Sequence, residues 1–219
     1  MPAEIAIVVA AHNEEERLGD TLRALRGAFP DARVIVADDA STDRTPQIAA
    51  DAGAELVRSE QRLGKGGANT PAAESALSSA PDVVLLCDGD LGASAAALTG
   101  LIGQGDLAIA KFARRVGGGF GIALRSSRWV VARRTGRTLD APLSGQRALT
   151  AATLRNVLPF APGFGMETAM NIDAIRAGLT VVEVELDLEH RATGRTLAGF
   201  MHRGRQLWDL ARVYRVSRR

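Results

Sequence analysis

Only one cysteine, Cys87, occurs in 219 residues, which excludes a disulfide framework and any zinc site built from thiolates. Aromatic residues make up 4% of the chain, so no stacking platform for bases is visible and nucleic acid is disfavoured as a partner. No uninterrupted apolar run approaches the roughly 20 residues that span a bilayer. Neither a G-X-Y nor a heptad period appears, which excludes collagen-like and coiled-coil chains. The N-terminus, MPAEIAIVVAAHNEEE, lacks a basic start and runs into acids, so a signal peptide is not expected. A soluble, reducing, cytoplasmic setting is the expectation. What is present is globular in character: 46% apolar and 24% charged, enough to bury a core and too apolar for a disordered chain. No linker and no internal repeat divide the sequence, so a single domain over residues 1–219 is expected.

Charge is unevenly placed. Residues 1–110 carry 8 Lys/Arg against 17 Asp/Glu, whereas residues 111–219 carry 19 against 8. The stretch from Lys111 to Arg137 contains no acid at all, and a second basic cluster runs from Arg191 to Arg219. Nearly all of these cations are arginine, whose planar fork grips phosphate at two points. The asymmetry points to a phosphate-bearing partner or an anionic membrane surface.

The first half alternates strands and helices. Ile5–Ala10, Arg33–Ala37, Glu55–Arg58, Val83–Cys87 and Leu107–Lys111 read as strands, the first and fourth as continuous apolar runs buried on both faces. Helices are expected at Glu14–Phe29, stopped by Pro30, and from Thr45 through Ala52, with Pro46 at its start. Gly66–Ser79 and Ser94–Ile102 complete the set, and the β-α-β pattern implies a parallel sheet with right-handed crossovers. In the second half, Arg114–Gly121 reads as a glycine-rich loop, 122–136 as a basic helix and Asp140–Gln146 as a loop. Helices at Arg147–Val157 and Met166–Gly178, a strand at Thr180–Leu188 and a basic amphipathic helix from Leu197 follow.

Three buried strands end in polar clusters: His12-Asn13-Glu14, Asp38-Asp39 with Ser41, Thr42 and Asp43, and Asp88-Gly89-Asp90. Ligands of open α/β sheets bind in the crevice at these carboxyl ends. Two carboxylates one glycine apart suit Mg²⁺ or Mn²⁺, which take hard oxygen ligands and share them with substrate phosphates. Turn and cap chemistry accounts for Ser41, Thr42 and Asp43. Adjacent Asp38 and Asp39 repel unless something uses them, and a base or ribose hydroxyl would. Gly64-Lys65-Gly66-Gly67 suits a phosphate at a helix N-terminus, without the spacing of a Walker loop.

In order across residues 8–90, VVAAHNEEERL, VADDASTDRT, LGKGGA and LLCDGD resemble the inverting nucleotide-sugar glycosyltransferases of family two. PLSGQRAL and GFGMETAMNIDA are similar to segments of dolichol-phosphate mannose synthase-like members, and LEHRATGR to glucosyl-3-phosphoglycerate synthase. The resemblance implies a GT-A fold: a Rossmann-like, three-layer α/β/α sandwich with a mostly parallel central sheet. It implies a donor-binding half over 1–110 and an acceptor-binding half over 111–219. Ala11, Glu14, Asp38 and Asp39 would hold the nucleoside, and Lys65 would lie near base or diphosphate. Asp90 would be the principal ligand of Mg²⁺ or Mn²⁺, with Asp88 and Gly89 alongside. His190 would be a further metal ligand, and Arg191 and Arg195 would clamp phosphate. His12 stands where the family usually has tyrosine, and Ala40 where it often has glycine.

Transfer needs the leaving diphosphate neutralised, and a metal with arginines does this electrostatically. A hydroxyl acceptor would need a general base, for which Glu167 and Asp140 are the candidates. A phosphate acceptor is already anionic and needs none. Polyprenyl phosphate at the inner face of a membrane fits the basic second half, and a soluble phosphorylated acceptor such as a phosphoglycerate fits the lack of an anchor. The basic tail suits a lipid surface, the protein's own core or the partner in a homodimer. A sugar-1-phosphate nucleotidyltransferase would carry a glycine-rich arginine loop after the first strand, which AAHNEEERL is not, and a non-catalytic nucleotide-binding module would not need Asp88, Asp90 and Lys65 together.

Overall fold

The computed structural model describes residues 3–113 and 121–188. Its strands are β1 (Ile5–Ala11), β2 (Arg33–Asp38), β3 (Glu55–Arg58), β4 (Val83–Asp88), β5 (Leu107–Phe112), β6 (Arg147–Thr150) and β7 (Val181–Leu186). They form one sheet in the order β3-β2-β1-β4-β6-β5-β7. All pairings are parallel except those of β6, which runs antiparallel to both β4 and β5. This is a mostly parallel α/β sheet, as expected.

Side chains alternate across each strand, so consecutive residues enter opposite cores. Ala6 and Val8 of β1 pack with α3 (Lys65–Leu77), α4 (Gly121–Thr135), α5 (Ala151–Val157) and α6 (Met166–Arg176) on one face. Ile7 and Val9 pack on the other with α1 (Leu18–Ala28), α2 (Thr45–Asp51) and a 3-10 segment at Gly92–Leu101. Three layers result.

Three expectations need correction. The helix expected over Arg147–Val157 is a four-residue strand, β6, followed by α5. Both faces of β6 are buried, Ala148 in one core and Leu149 in the other, so the run shows no alternation that distinguishes it from a buried helix. Its insertion separates β4 from β5, which a plain β-α-β reading would have made neighbours. The first helix begins at Leu18 rather than Glu14, because Glu14 and Glu15 donate their N–H groups to the side chains of Thr45 and Asp43 across the sheet edge. Ser94–Ile102 is the tighter 3-10 segment rather than an α-helix. The tail helix from Leu197, residues 114–120 of the glycine-rich loop, and His190, Arg191 and Arg195 lie outside the described residues. No helix among the described residues is long and apolar enough to cross a membrane.

At the opposite edge a polar brace ties three elements together. Arg33 donates to Glu55 at 2.6 Å and to the Ser75 carbonyl at 2.7 Å, and the Ser75 hydroxyl donates to Glu55 at 2.6 Å. The Ser75 hydrogen bond, and then Arg33, hold the Glu55 carboxyl below its ordinary 4.5 against the opposing effect of partial burial. A carboxyl depressed in the folded state stabilises above its unfolded pKa and loses that contribution as pH falls through the folded one. Glu55→Gln should therefore melt lower than wild type near neutral pH, and the gap between their melting curves should close below pH 4.5.

Candidate functional site

The sheet order sets β2, β1 and β4 side by side, so their carboxyl ends share one edge. Ala11 is in register with Asp38, and Ala10 with Asp88. The three polar clusters therefore meet, as the strand reading anticipates.

The loops after β1 and β2 are stitched to one another. Asn13 donates its N–H to the Ser41 hydroxyl at 2.9 Å, and the Asn13 side-chain oxygen accepts from Thr42 N at 2.9 Å. His12 Nδ1 lies 2.7 Å from the Asp39 carbonyl. Just ahead of α2, Asp43 accepts from Thr45 N at 2.9 Å, and although slight burial raises its carboxyl, the hydrogen bonds from Thr45 and then Glu15 hold it below the ordinary range. Two non-glycine residues here are left-handed, Asn13 at φ 56° and Ala40 at φ 57°. For alanine that conformation costs on the order of 1 kcal/mol, the kind of strain that collects at functional sites.

Asp38 and Asp39 are both buried, and each has partners within the chain. Asp38 accepts from Ser41 N at 3.1 Å, and its other oxygen, buried and without a hydrogen bond, faces Arg58 Nε at 3.1 Å as an ion pair. Asp39 accepts from Leu63 N at 2.6 Å and Gly64 N at 3.0 Å, with Arg62 at 3.9 Å. Arg58 and Arg62 offset their mutual repulsion, while Asp38 Oδ2 keeps a free hydrogen-bonding valence. Asp39 fixes the turn that leads into Lys65.

The Asp88-Gly89-Asp90 turn is locked from both sides. Gly89 N donates to Ala10 O at 2.8 Å. Thr21, fully buried on α1, donates its hydroxyl to Gly89 O at 2.8 Å and accepts from Gly92 N at 2.8 Å. Arg17 donates to the Asp90 carbonyl at 3.1 Å. Thr21→Val keeps the volume but leaves Gly89 O and Gly92 N without that partner, which should cost about 1–3 kcal/mol in a thermal melt, while Thr21→Ser should retain most of it.

Beyond the turn stands an ionic cluster. Lys65, the first residue of α3, places Nζ 2.5 Å from Asp88 Oδ1 and 3.1 Å from Glu167 Oε1. Burial opposes the lysine's charge, but the carboxylates of Asp88 and then Glu167 outweigh it and hold the ammonium well above its ordinary pKa. Gln146 donates to Asp88 Oδ2 at 2.8 Å. A β-carbon on Gly66 would collide with the carbonyl of Ala161, so that close approach requires glycine, and one on Gly145 would push aside Lys65 Nζ and the Asp88 carboxylate.

Arg147 supports this wall from within. Fully buried, it donates to Ser144 O at 2.7 Å, to Pro142 O at 3.0 Å and to Asn171 Oδ1 at 2.6 Å. Asn171 Nδ2 also donates to Pro142 O, at 2.9 Å. The loop that carries Gln146 is thereby fastened to α6, the helix whose first turn carries Glu167.

Of the two expected bases, only Glu167 joins the cluster. Asp140 is 69% exposed, and its carboxylate lies 3.8 Å from Lys111 and 4.0 Å from Arg128. No local sequence pattern marks Thr21, Arg58 or Arg62 as part of the site, and none gives Gln146 and Arg147 their roles. Gln146 and Arg147 do fall in the PLSGQRAL segment, whereas Thr21 reads as one more polar position on an amphipathic helix.

The family described as Glycosyl transferase family 2 matches residues 6–135. Undecaprenyl-phosphate mannosyltransferase of Micrococcus luteus is 29% identical over 211 residues, covering 88% of this chain and 86% of that protein. Glucosyl-3-phosphoglycerate synthase of Mycolicibacterium paratuberculosis is 33% identical over 233 residues, covering 91% of this chain and 69% of that protein. The crystal structure of glucosyl-3-phosphoglycerate synthase from Mycobacterium tuberculosis with Mn²⁺, UDP-glucose and phosphoglyceric acid is similar at a TM-score of 0.75 and 26% identity, covering 97% of this chain and 80% of that one.

Proposed function

The chain belongs to glycosyl transferase family 2, and from that premise we propose that it moves a sugar from a nucleoside-diphosphate sugar, with UDP or GDP as carrier, to a phosphate-bearing acceptor. The observation that carries the reading is the Asp88-Gly89-Asp90 turn at the end of β4, with the Lys65 ammonium against Asp88 at the N-terminus of α3. Ala11, Glu14, Asp38 and Asp39, at and just beyond the carboxyl ends of β1 and β2, take the nucleoside. Residues 1–110 hold the donor and 111–219 the acceptor, within one domain.

Mg²⁺ or Mn²⁺ fits the donor set. Asp90 follows Asp88 by one glycine at the end of β4, and Asp88, whose oxygens face Lys65 and Gln146, would share its carboxylate with the ion. Among the described residues no group of three His, Cys, Asp or Glu side chains is placed to hold an ion alone. Two carboxylates completed by diphosphate oxygens and water are what Mg²⁺ prefers. When bound there, the ion neutralises charge developing on the leaving diphosphate. Asp88 and Asp90 hold it, and His190 is assigned as a further ligand from the sequence.

Lys65, kept charged by Asp88 and Glu167, presents a fixed cation at a helix N-terminus, where N–H groups also favour phosphate. Glu167 orients Lys65 rather than accepting a proton, which a phosphate nucleophile does not require. Asp140 holds Lys111 and Arg128 in place. Arg191 and Arg195 serve as phosphate clamps.

For the acceptor we favour a polyprenyl phosphate, with the protein cytoplasmic and peripheral at the inner face of the membrane. The arginine-rich, acid-free stretch from Lys111 to Arg137 supports it, as does the likeness to undecaprenyl-phosphate mannosyltransferase. A phosphoglycerate is the second reading, favoured by the structural likeness over 97% of the chain. Transfer assays with UDP- and GDP-sugars and Mn²⁺, offering undecaprenyl phosphate in detergent, undecaprenol and 3-phosphoglycerate in parallel, test this. Product on undecaprenyl phosphate alone is expected. Product on phosphoglycerate alone would overturn the lipid acceptor, and product on undecaprenol would overturn the need for phosphate.

A further inference from the structure

Among the described residues three large apolar side chains stand in solvent, and two of them, Ile122 (67% exposed) and Trp129 (56%), belong to α4. With Arg125 and Arg133, both exposed, they fall at positions i, i+7, i+3 and i+11, a single stripe along the helix. The opposite side, Ala123, Ser127, Val130 and Val131, is buried against the core. Two bulky apolar groups interleaved with arginines, on a helix that contains no acid, form a surface of one charge sign and partial greasiness. A helix facing only water mixes both signs and hides its tryptophan.

This helix is also tied to the site. The Ser127 hydroxyl bonds that of Thr168 at 2.8 Å, one residue after Glu167, and Arg128 donates to the carbonyl of Asp140, where the loop ending in Gln146 begins. A surface bound along α4 is therefore one helix removed from Glu167 and from the loop that ends in Gln146.

We propose that the outer stripe of α4, with Ile122, Arg125, Trp129 and Arg133, rests on an anionic lipid bilayer. The inference builds on the lipid-phosphate acceptor above and names the surface that meets it. Charge complementarity selects the occupant: arginines pair with anionic headgroups while tryptophan and isoleucine enter the boundary between headgroup and acyl chain, the arrangement of helices that lie in the interface. Each arginine near such a surface contributes about fivefold in affinity.

The test is co-sedimentation of the full chain with vesicles of phosphatidylcholine alone or mixed with phosphatidylglycerol. Binding to the mixed vesicles only, weakened by salt, is expected. Arg125→Gln and Arg133→Gln should each lower it about fivefold, and Trp129→Ser roughly tenfold. In a Trp208→Phe background Trp129 is the sole tryptophan, and its emission should shift to the blue on the mixed vesicles. No binding to phosphatidylglycerol would overturn the proposal, as would binding that these variants leave unchanged. It would also fall if Trp129→Ser dissociated a dimer without altering vesicle binding, which would make the stripe a contact between copies. Transfer to a short-chain polyprenyl phosphate in detergent reads the acceptor separately: if it persists while vesicles ignore α4, only the surface assignment is lost. Vesicle binding through α4 without any such transfer would uphold the surface and remove the acceptor.

Discussion

Asp90→Ala should lower sugar transfer by at least about 1,000-fold, a loss of roughly 4 kcal/mol of transition-state stabilisation. The expectation rests on where the carboxylate sits. β4 ends at the centre of the sheet, Gly89 is held by Ala10 and Thr21, and Asp90 is presented on a turn fastened through its backbone. A fixed carboxylate needs no reorganisation as charge builds on the diphosphate, which is the source of the large effect. The Asp90 carbonyl used by Arg17 survives the change. Asp88→Ala should differ: it also strips Lys65 and Gln146 of their shared partner, so activity and stability should fall together. An Asp90→Ala enzyme within tenfold of wild type, measured by release of UDP or GDP in the presence of acceptor, would remove that residue from the chemistry.

The second large effect is expected at Arg147. Arg147→Met fills a similar volume but removes every donor, leaving Ser144 O and Asn171 Oδ1 without the partners they have at 2.7 and 2.6 Å. Leaving these two buried acceptors unpaired costs about 1–3 kcal/mol each, which together is roughly 10 °C in melting temperature for a chain of this size. Burial draws the guanidinium down to about 10, against the pull of Glu167, Glu183 and Asp88, so it remains charged at neutral pH. Because Arg147 and Asn171 both hold Pro142, the loop behind Asp88 should loosen, and activity should drop further than the fold does. Arg147→Lys, which keeps the charge without the fork, should recover only part of either loss.

The sequence made some of this legible and concealed the rest for physical reasons. IAIVVA and VVLLC are continuous apolar runs, and such runs mark strands buried on both faces. The polar residues that follow them must then share an edge, which is how the three clusters could be placed together. β6 offered no such sign, being four residues with a buried arginine at its start. Asp38 and Asp39 suggested a ligand through their repulsion, yet Arg58, Ser41, Leu63 and Gly64 relieve it, contacts that no local pattern displays. Asp140 and Glu167 looked equivalent as acids near loops. Only the fold turns one towards Lys65 and the other towards Lys111. Thr21 reaches Gly89 across 68 positions of sequence, beyond anything periodicity can report.

One measurement bears most directly on the account: isothermal titration of UDP and GDP into the full chain, once with Mn²⁺ and once with EDTA. Binding of one nucleotide that requires Mn²⁺, with the requirement lost in Asp90→Ala, is the predicted result. Equal affinity in Mn²⁺ and EDTA, or a metal requirement that persists without the Asp90 carboxylate, would contradict it.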